Sequence, residues 1–331
     1  MSDIYINRSH KDYALPMARS VQQLEQIPIF IGGTGRCGTT IVGDLLNEHP
    51  QVRTSLPTEL KFLANPGGLL DITFGRLENP EAPQKKLSII NFRTYQRRKN
   101  RERERFNEFF ELVWNKWWDI DAPPPHGRGL VSGISKPVLE KILTDFRKNF
   151  RRSRTKAATI FMHELIRNQN NSGTKKFWVE TTPLNIANAN RILKILPNSR
   201  FINMIRDPRD VIASLLTKNW GPNNALEGIE WIQKRLSAGQ KAMNCVPANQ
   251  QLTIKLEDLV INNREKTYNS ILEFLELSDS PNVRSFFDSK MTTDAASYGR
   301  WKNEVTDKLF SEQYLQLVKQ LKLLSIPTYE D

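Results

Sequence analysis

The chain has 331 residues, 39% of them hydrophobic and 25% charged, with 16 Phe and 7 Trp; that bulk excludes a wholly disordered chain, and the length allows one large domain or two ordinary ones. No apolar run approaches the ~20 residues of a membrane span, the N-terminal residues lack the pattern of a secretory signal, and two cysteines exclude a disulfide framework or a cysteine-rich zinc site. Lys and Arg number 48 against 36 Asp and Glu, a formal net charge of +12, which favours an anionic partner: nucleic acid, a membrane surface, or a phosphate- or sulfate-bearing small molecule.

Residues 1–26 are polar without a strong period, and we read them as an N-terminal extension. Residues 27–33 (IPIFIGG) are a short β-branched run ending in glycines, the mark of a buried strand. Residues 38–48 follow with Ile41, Val42, Leu45 and Leu46 at helical spacing, so strand, glycine-rich turn and helix open an α/β domain. Breakers at Asn65–Gly68 and Ala122–Pro125 bracket a charged helical segment over 95–120. Residues 176–180 and 199–206 read as further strands with a helix over 185–195 between them, and a helix over 209–219 and a strand over 251–259 follow. Strands alternating with helices predict a parallel sheet with right-handed crossovers. No internal repeat is present, so residues 27–331 are expected to form one α/β domain with a helical insertion at about 65–170.

Residues 33–40 (GTGRCGTT) lie between the first strand and the first helix. Backbone N–H groups and the positive end of the helix dipole converge there, and the Thr hydroxyls add donors. The spacing of Gly33 and Gly38 is that of a nucleotide phosphate loop, but Thr39 stands where such a loop has Lys, and the cation is Arg36 instead. A glycine turn that closes a strand–helix corner without a ligand is the alternative.

Arg36-Cys37-Gly38-Thr39-Thr40 resembles the 5′-phosphosulfate loop of sulfotransferases that use 3′-phosphoadenosine 5′-phosphosulfate (PAPS), where the usual run is Arg or Lys, Ser, Gly, Thr, Thr. Cys37 replaces Ser; its backbone N–H still donates, and its thiol is either activated at a helix N-terminus or small filler. Arg206-Asp207-Pro208-Arg209-Asp210-Val211-Ile212-Ala213-Ser214 resembles the family's 3′-phosphate motif, an Arg at a strand end and a Ser in the next helix. Arg offers phosphate a planar fork and Ser completes the cage. Lys218, one helical turn past Ser214, stands where some members carry another Arg. Gly299-Arg300-Trp301-Lys302 resembles the late loop that closes over the nucleotide, although the Arg-Lys-Gly of the cytosolic branch is absent and 294–296 reads Asp-Ala-Ala.

The resemblance implies a P-loop-like parallel sheet flanked by helices, PAPS as donor, adenosine 3′,5′-bisphosphate as product and no metal. It assigns donor binding to Gly35, Arg36, Cys37, Gly38, Thr39, Thr40, Arg206, Ser214, Lys218, Arg300 and Lys302. It is silent on the acceptor, which we expect to be a small-molecule or glycan hydroxyl, or less readily an amine, met by the insertion at 65–170.

Sulfuryl transfer needs a base at the acceptor and cations on the donor oxygens, with positioning and electrostatics supplying most of the effect, by analogy with phosphoryl transfer. Arg36 is the cation for the leaving phosphate. Residues 49–62 resemble the tyrosylprotein and glycan-modifying branches, which place a catalytic Glu about twenty residues past the loop, and this implies Glu59 as the base. A carboxylate that merely complements a helix start is the alternative for Glu59. The cytosolic branch uses His: His10 lies in the N-terminal extension, His49 suits a helix end, His163 lacks the second His of a zinc-protease motif, and His126 is the remaining candidate. Thr181 occupies the position where relatives often carry the Lys of Lys-Thr-Pro, so either Lys61 or Lys302 substitutes, or Arg36 acts alone.

Trp114, Trp117 and Trp118 share a helical face, as an acceptor wall or as an insertion helix packed on the core. Residues 97–105 (RRKNRERER) mix charge signs without aromatics, a solvated face and not an RNA-binding one. A P-loop kinase is opposed by Thr39 and by the absence of a persuasive strand-end acid for magnesium, and a nonenzymatic nucleic-acid-binding protein rests on charge alone. Neither nucleic acid nor a membrane span is expected, and the location is expected to be cytoplasmic. Lys302–Thr306 does not reproduce the cytosolic branch's dimer motif, so any dimer should use another surface.

Overall fold

Five short strands form one parallel sheet in the computed structural model, which describes residues 26–77, 92–119, 129–169, 175–306 and 309–329. They are β1 (Ile27–Gly33), β2 (Val52–Thr54), β3 (Phe177–Glu180), β4 (Arg200–Ile205) and β5 (Gln251–Lys255), in the order β2-β3-β1-β4-β5. Every pairing is parallel, and Ile29 of the central β1 sits across from Val179 on one side and Arg200 on the other. β1 is covered on both faces, which is why its sequence is a continuous apolar run and not an alternating one.

Alternation along the strands divides the core. Phe30 points into one layer with Trp178 and Phe201, its ring 5.8 Å from that of Phe201. Ile29 and Ile31 point into the other with Val179, Ile202 and Met204. The first layer is closed by the insertion: α2 (Lys61–Ala64), α3 (Leu69–Phe74), α4 (Phe92–Leu112), α5 (Lys136–Phe150) and α6 (Arg154–Asn168), joined by α7 (Ala189–Ile195). The second is closed by α1 (Thr39–Asn47), α10 (Arg264–Leu275) and α11 (Pro281–Lys290). A third cluster joins α8 (Pro208–Leu216), α9 (Ala225–Met243) and α14 (Phe310–Leu323), with the short α12 (Thr293–Ala296) and α13 (Trp301–Glu304) before α14.

Four local expectations change. The last strand stops at Lys255, because Leu256 and Glu257 already turn helically into the wide turn Asp258–Asn262. The helix after β4 ends at Leu216, so Lys218 lies in the turn beyond it and not one helical turn past Ser214. The helix over 185–195 starts as a tight 3₁₀ segment, Pro183–Asn188. The charged helix α4 widens to a π segment over Val113–Trp117. There Trp117 is buried, while Trp114 and Trp118 are partly buried against the insertion core with ring centroids 5.1 Å apart, the packing reading of that aromatic cluster.

Because all five strands run the same way, the segments after them emerge at one edge of the sheet: 34–38, 55–60, 181–183, 206–207 and 256–257. That carboxyl edge is where open parallel sheets place ligands.

Candidate active site at the carboxyl edge

The loop after β1 is shaped by backbone geometry. Gly35 (φ 86°) and Gly38 (φ 89°) are in the left-handed region, and so is Arg36 (φ 56°), an uncommon conformation for a side-chain-bearing residue. A Cβ on Gly38 would meet Leu256 at 2.8 Å, so the loop lies tight on the segment after β5. Gly38 precedes α1 and no side chain caps that helix, which leaves the first N–H groups of α1 directed at the loop. Thr39 is buried, Thr40 half-buried and Arg36 exposed. Uncapped N–H groups beside an exposed guanidinium make this corner suited to an anion. Cys37 is fully buried, and burial pushes its thiol above the ordinary value, so it is filler and not an activated thiol.

The loop after β4 closes on the first. Arg36 Nε donates to Ser214 Oγ at 3.0 Å, and Arg206 Nη1 donates to the Arg36 carbonyl at 3.1 Å. Arg206 Nη2 donates to the Ser297 carbonyl at 2.9 Å, which brings in the late segment. Asp210 is the joint: its carboxylate is wholly buried, lies 3.7 Å from Arg206 Nη2, and accepts the N–H groups of Gly299 at 2.8 Å and Trp301 at 3.1 Å. The three motifs around Arg36, Arg206 and Gly299–Lys302 are therefore linked by direct hydrogen bonds.

Not every assigned residue joins them. Arg300 is engaged by Glu304, with Nη2 2.8 Å from its carboxylate, and Lys302 is exposed, its Nζ 6.0 Å from the Trp301 ring. Lys218 is half-buried in the turn after α8.

Glu59 stands in the segment after β2, just ahead of the four-residue α2, half-buried and 3.9 Å from Lys61 Nζ. That segment is sewn to the end of β3. Thr181 N–H and Oγ1 both donate to the Thr58 carbonyl, at 2.9 and 3.0 Å, and Ser55 N–H donates to the Val179 carbonyl at 2.7 Å. Gly35, in turn, packs beside Pro183: a Cβ there would sit at ordinary contact distance, 3.8 Å from its side chain. The Thr181–Pro183 segment thus lies between the Glu59 segment and the phosphate loop.

Sequence reasoning passed over Glu180, which holds this junction. Its carboxyl is wholly buried and accepts the Leu60 N–H at 2.6 Å, the Thr182 N–H at 3.1 Å, the Thr182 hydroxyl and the Asn185 amide. Burial pushes it up to about 7, and the four donors pull the other way. Its signal was an acid closing a fully buried strand. Asp210 was also missed, although its place four residues after Arg206 is the helical spacing for a pair.

His49 is structural: Nδ1 accepts the Gln51 N–H at 3.1 Å, and Nε2 is 3.1 Å from the Ser278 carbonyl. His10, His126, most of the N-terminal extension and the Pro-rich breaker at 122–125 lie outside the described residues.

Residues 28–281 match the model of the sulfotransferase family. No curated protein matches the chain. Similar solved structures include the sulfotransferase domain from the curacin biosynthetic pathway, at 15% identity over 93% of this chain and 100% of that one, with a TM-score of 0.46. A sulfotransferase from Mycobacterium avium is 12% identical over 93% of this chain and 79% of its own, with a TM-score of 0.47. Retinol dehydratase in complex with androsterone and the inactive cofactor PAP is 13% identical over 92% and 82%, with a TM-score of 0.35. With its family match running from the first strand through the phosphate loop to the start of α11, the chain belongs to the sulfotransferase family.

Proposed function

We propose that the protein moves a sulfuryl group from PAPS to a hydroxyl, or less readily an amine, of a small-molecule or glycan acceptor. The observation that carries this reading is the hydrogen-bonded set of Arg36, Ser214 and Arg206 beside the uncapped start of α1. The donor supplies the sulfuryl group and leaves as adenosine 3′,5′-bisphosphate. The N–H groups of Gly38, Thr39 and Thr40, with the Thr hydroxyls, bind the 5′ end, and Arg36 offsets the charge that grows on the departing phosphate oxygen. Arg206 and Ser214 bind the 3′-phosphate, with Gly35 and Cys37 shaping the loop and Lys218, Arg300 and Lys302 on its rim. Glu59 takes the acceptor proton as the new S–O bond forms and the bond to the bridging phosphate oxygen breaks. With Thr181 hydrogen-bonded to Thr58, Arg36 serves the leaving group, aided by Lys61 near Glu59.

The insertion at 65–170 meets the acceptor in this reading, and residues 27–331 act as one domain. Both cysteines are free, which suits the reducing cytoplasm. The test is transfer from PAPS to a panel of phenols, sterols and oligosaccharides in excess EDTA. Acceptor-dependent release of adenosine 3′,5′-bisphosphate is expected. Turnover only with ATP and magnesium would replace the proposal with a kinase.

A further inference from the structure

Strand β4 delivers Arg206 to the site and Asp207 to α8, and this corner is braced by a residue beyond position 281, where the family match ends. The Asp207 N–H donates to Glu257 Oε1 at 2.9 Å, and the Tyr329 hydroxyl donates to Glu257 Oε2 at 2.6 Å. Glu257 is buried, so these partners occupy both oxygens of a desolvated carboxyl. Burial raises the Tyr329 hydroxyl and the Glu257 carboxyl above their ordinary values, and the phenol remains a proton donor near neutrality.

The segment that carries Tyr329 is fastened at further points. Tyr314 Oη donates to the Tyr329 carbonyl at 2.9 Å, and Lys255 Nζ donates to the Thr328 carbonyl at 3.1 Å while lying 4.6 Å from the Tyr329 ring. The Tyr314 ring is 4.8 Å from the Arg209 guanidinium, whose other ring neighbour, Trp301, is at 4.4 Å. Arg209 is itself paired with Asp207 at 2.9 Å. Lys255 thus ties the Tyr329 segment to the end of β5, while Glu257 and the Tyr314–Arg209 stack connect it to Asp207 and the first turn of α8.

We propose that Tyr329 is a positioning residue for the donor's 3′-phosphate: through Glu257 it fixes the Asp207 peptide and thereby sets where Arg206 presents its guanidinium. This rests on the reading of Arg206 as the 3′-phosphate ligand. Small displacements of a positioned group are costly in a preorganised site. Tyr329→Phe keeps the ring and removes the donor, so the effect is on placement and not on charge. Glu257→Gln is the conservative variant: its amide oxygen retains the Asp207 N–H, and its amide nitrogen donates to the Tyr329 oxygen.

The test is calorimetric binding of two probes, adenosine 3′,5′-bisphosphate and adenosine 5′-phosphosulfate, which lacks the 3′-phosphate, to the wild type and to the Tyr329→Phe, Glu257→Gln and Arg206→Ala variants. Tyr329→Phe should weaken the bisphosphate about tenfold and leave the phosphosulfate within about twofold, while Glu257→Gln stays near wild type on both. If Arg206→Ala discriminates between the probes and Tyr329→Phe does not, the Tyr329 contact is structural only and the inference falls while the Arg206 reading stands. Equal losses on both probes with Tyr329→Phe would also overturn it, as general loosening. If Arg206→Ala itself fails to discriminate, the reading of Arg206 falls, and the inference with it.

Discussion

Arg36 and Ser214, 178 positions apart, are joined by a 3.0 Å hydrogen bond from Nε to Oγ. The bond links the loop before α1 to the body of α8, and Arg206 adds a second tie by donating to the Arg36 carbonyl. In the proposed function, the phosphates at the two ends of the donor's ribose lie against Arg36 and Arg206.

Arg206 should therefore be selective in its effect. Arg206→Ala is expected to weaken adenosine 3′,5′-bisphosphate by about 10- to 150-fold, the range for a charge-assisted contact, and to leave an analogue without the 3′-phosphate nearly unaffected. Equal losses would place Arg206 away from the 3′-phosphate.

Glu59→Gln keeps the shape of the side chain and removes its capacity to accept a proton. Turnover should fall about 10²- to 10⁴-fold, with bisphosphate binding unchanged. His126→Ala serves as the control and should retain turnover within several-fold of wild type. An active Glu59→Gln with an inactive His126→Ala would move the base to the His of the cytosolic branch.

Glu180 makes stability depend on pH in a direction opposite to that of a paired carboxylate. Its buried carboxyl is raised from 4.5 to about 7, so the folded chain holds a proton that the unfolded chain has released. The contribution is fully present below about pH 4.5 and is lost as pH rises through about 7, an effect of up to roughly 3 kcal/mol. Glu180→Gln cannot ionise, and a flip of the Asn185 amide, whose Nδ2 faces the carboxyl and whose Oδ1 has no hydrogen-bond partner among the described residues, lets Oδ1 accept the new amide. Urea unfolding at pH 5 and pH 7.5 should show the variant gaining on the wild type at the higher pH. A gap that is the same at both would contradict the assignment.

The two thiols should separate cleanly. Cys245 is exposed and Cys37 buried with a raised thiol, so one equivalent of an alkylating reagent should react quickly and the second only on unfolding. Rapid modification of Cys37 in the folded protein would mean an open, activated loop.

The sequence revealed the parts of this account that are local. An apolar run ending in glycine marked β1 where it is buried on both faces, and the loop and first turn of α1 followed over Arg36 to Thr40. The positions of Arg206 at a strand end and of Ser214 in the next helix were legible because the two elements are adjacent in the chain. Lys218 was placed by extending α8 one turn too far, since nothing in the sequence shows that the helix stops at Leu216 before the turn to Gly221. Glu180 and Asp210 were missed for a different reason: their roles lie in backbone N–H groups of Leu60, Gly299 and Trp301, which only the fold brings to them. Tyr329 bonds across 72 positions to Glu257, a relationship with no local signal.

In the proposed function, the edge formed by Arg36, Ser214 and Arg206 binds the adenosine bisphosphate part of a sulfuryl donor. Titration calorimetry with adenosine 3′,5′-bisphosphate, ATP and a mixed-sequence oligonucleotide, in EDTA and then with magnesium, tests it without knowledge of the acceptor. One bisphosphate should bind per chain, without metal and at least about tenfold more tightly than ATP, a gap of about 1.4 kcal/mol. Magnesium-dependent preference for ATP, or oligonucleotide binding with no heat from the bisphosphate, would contradict it.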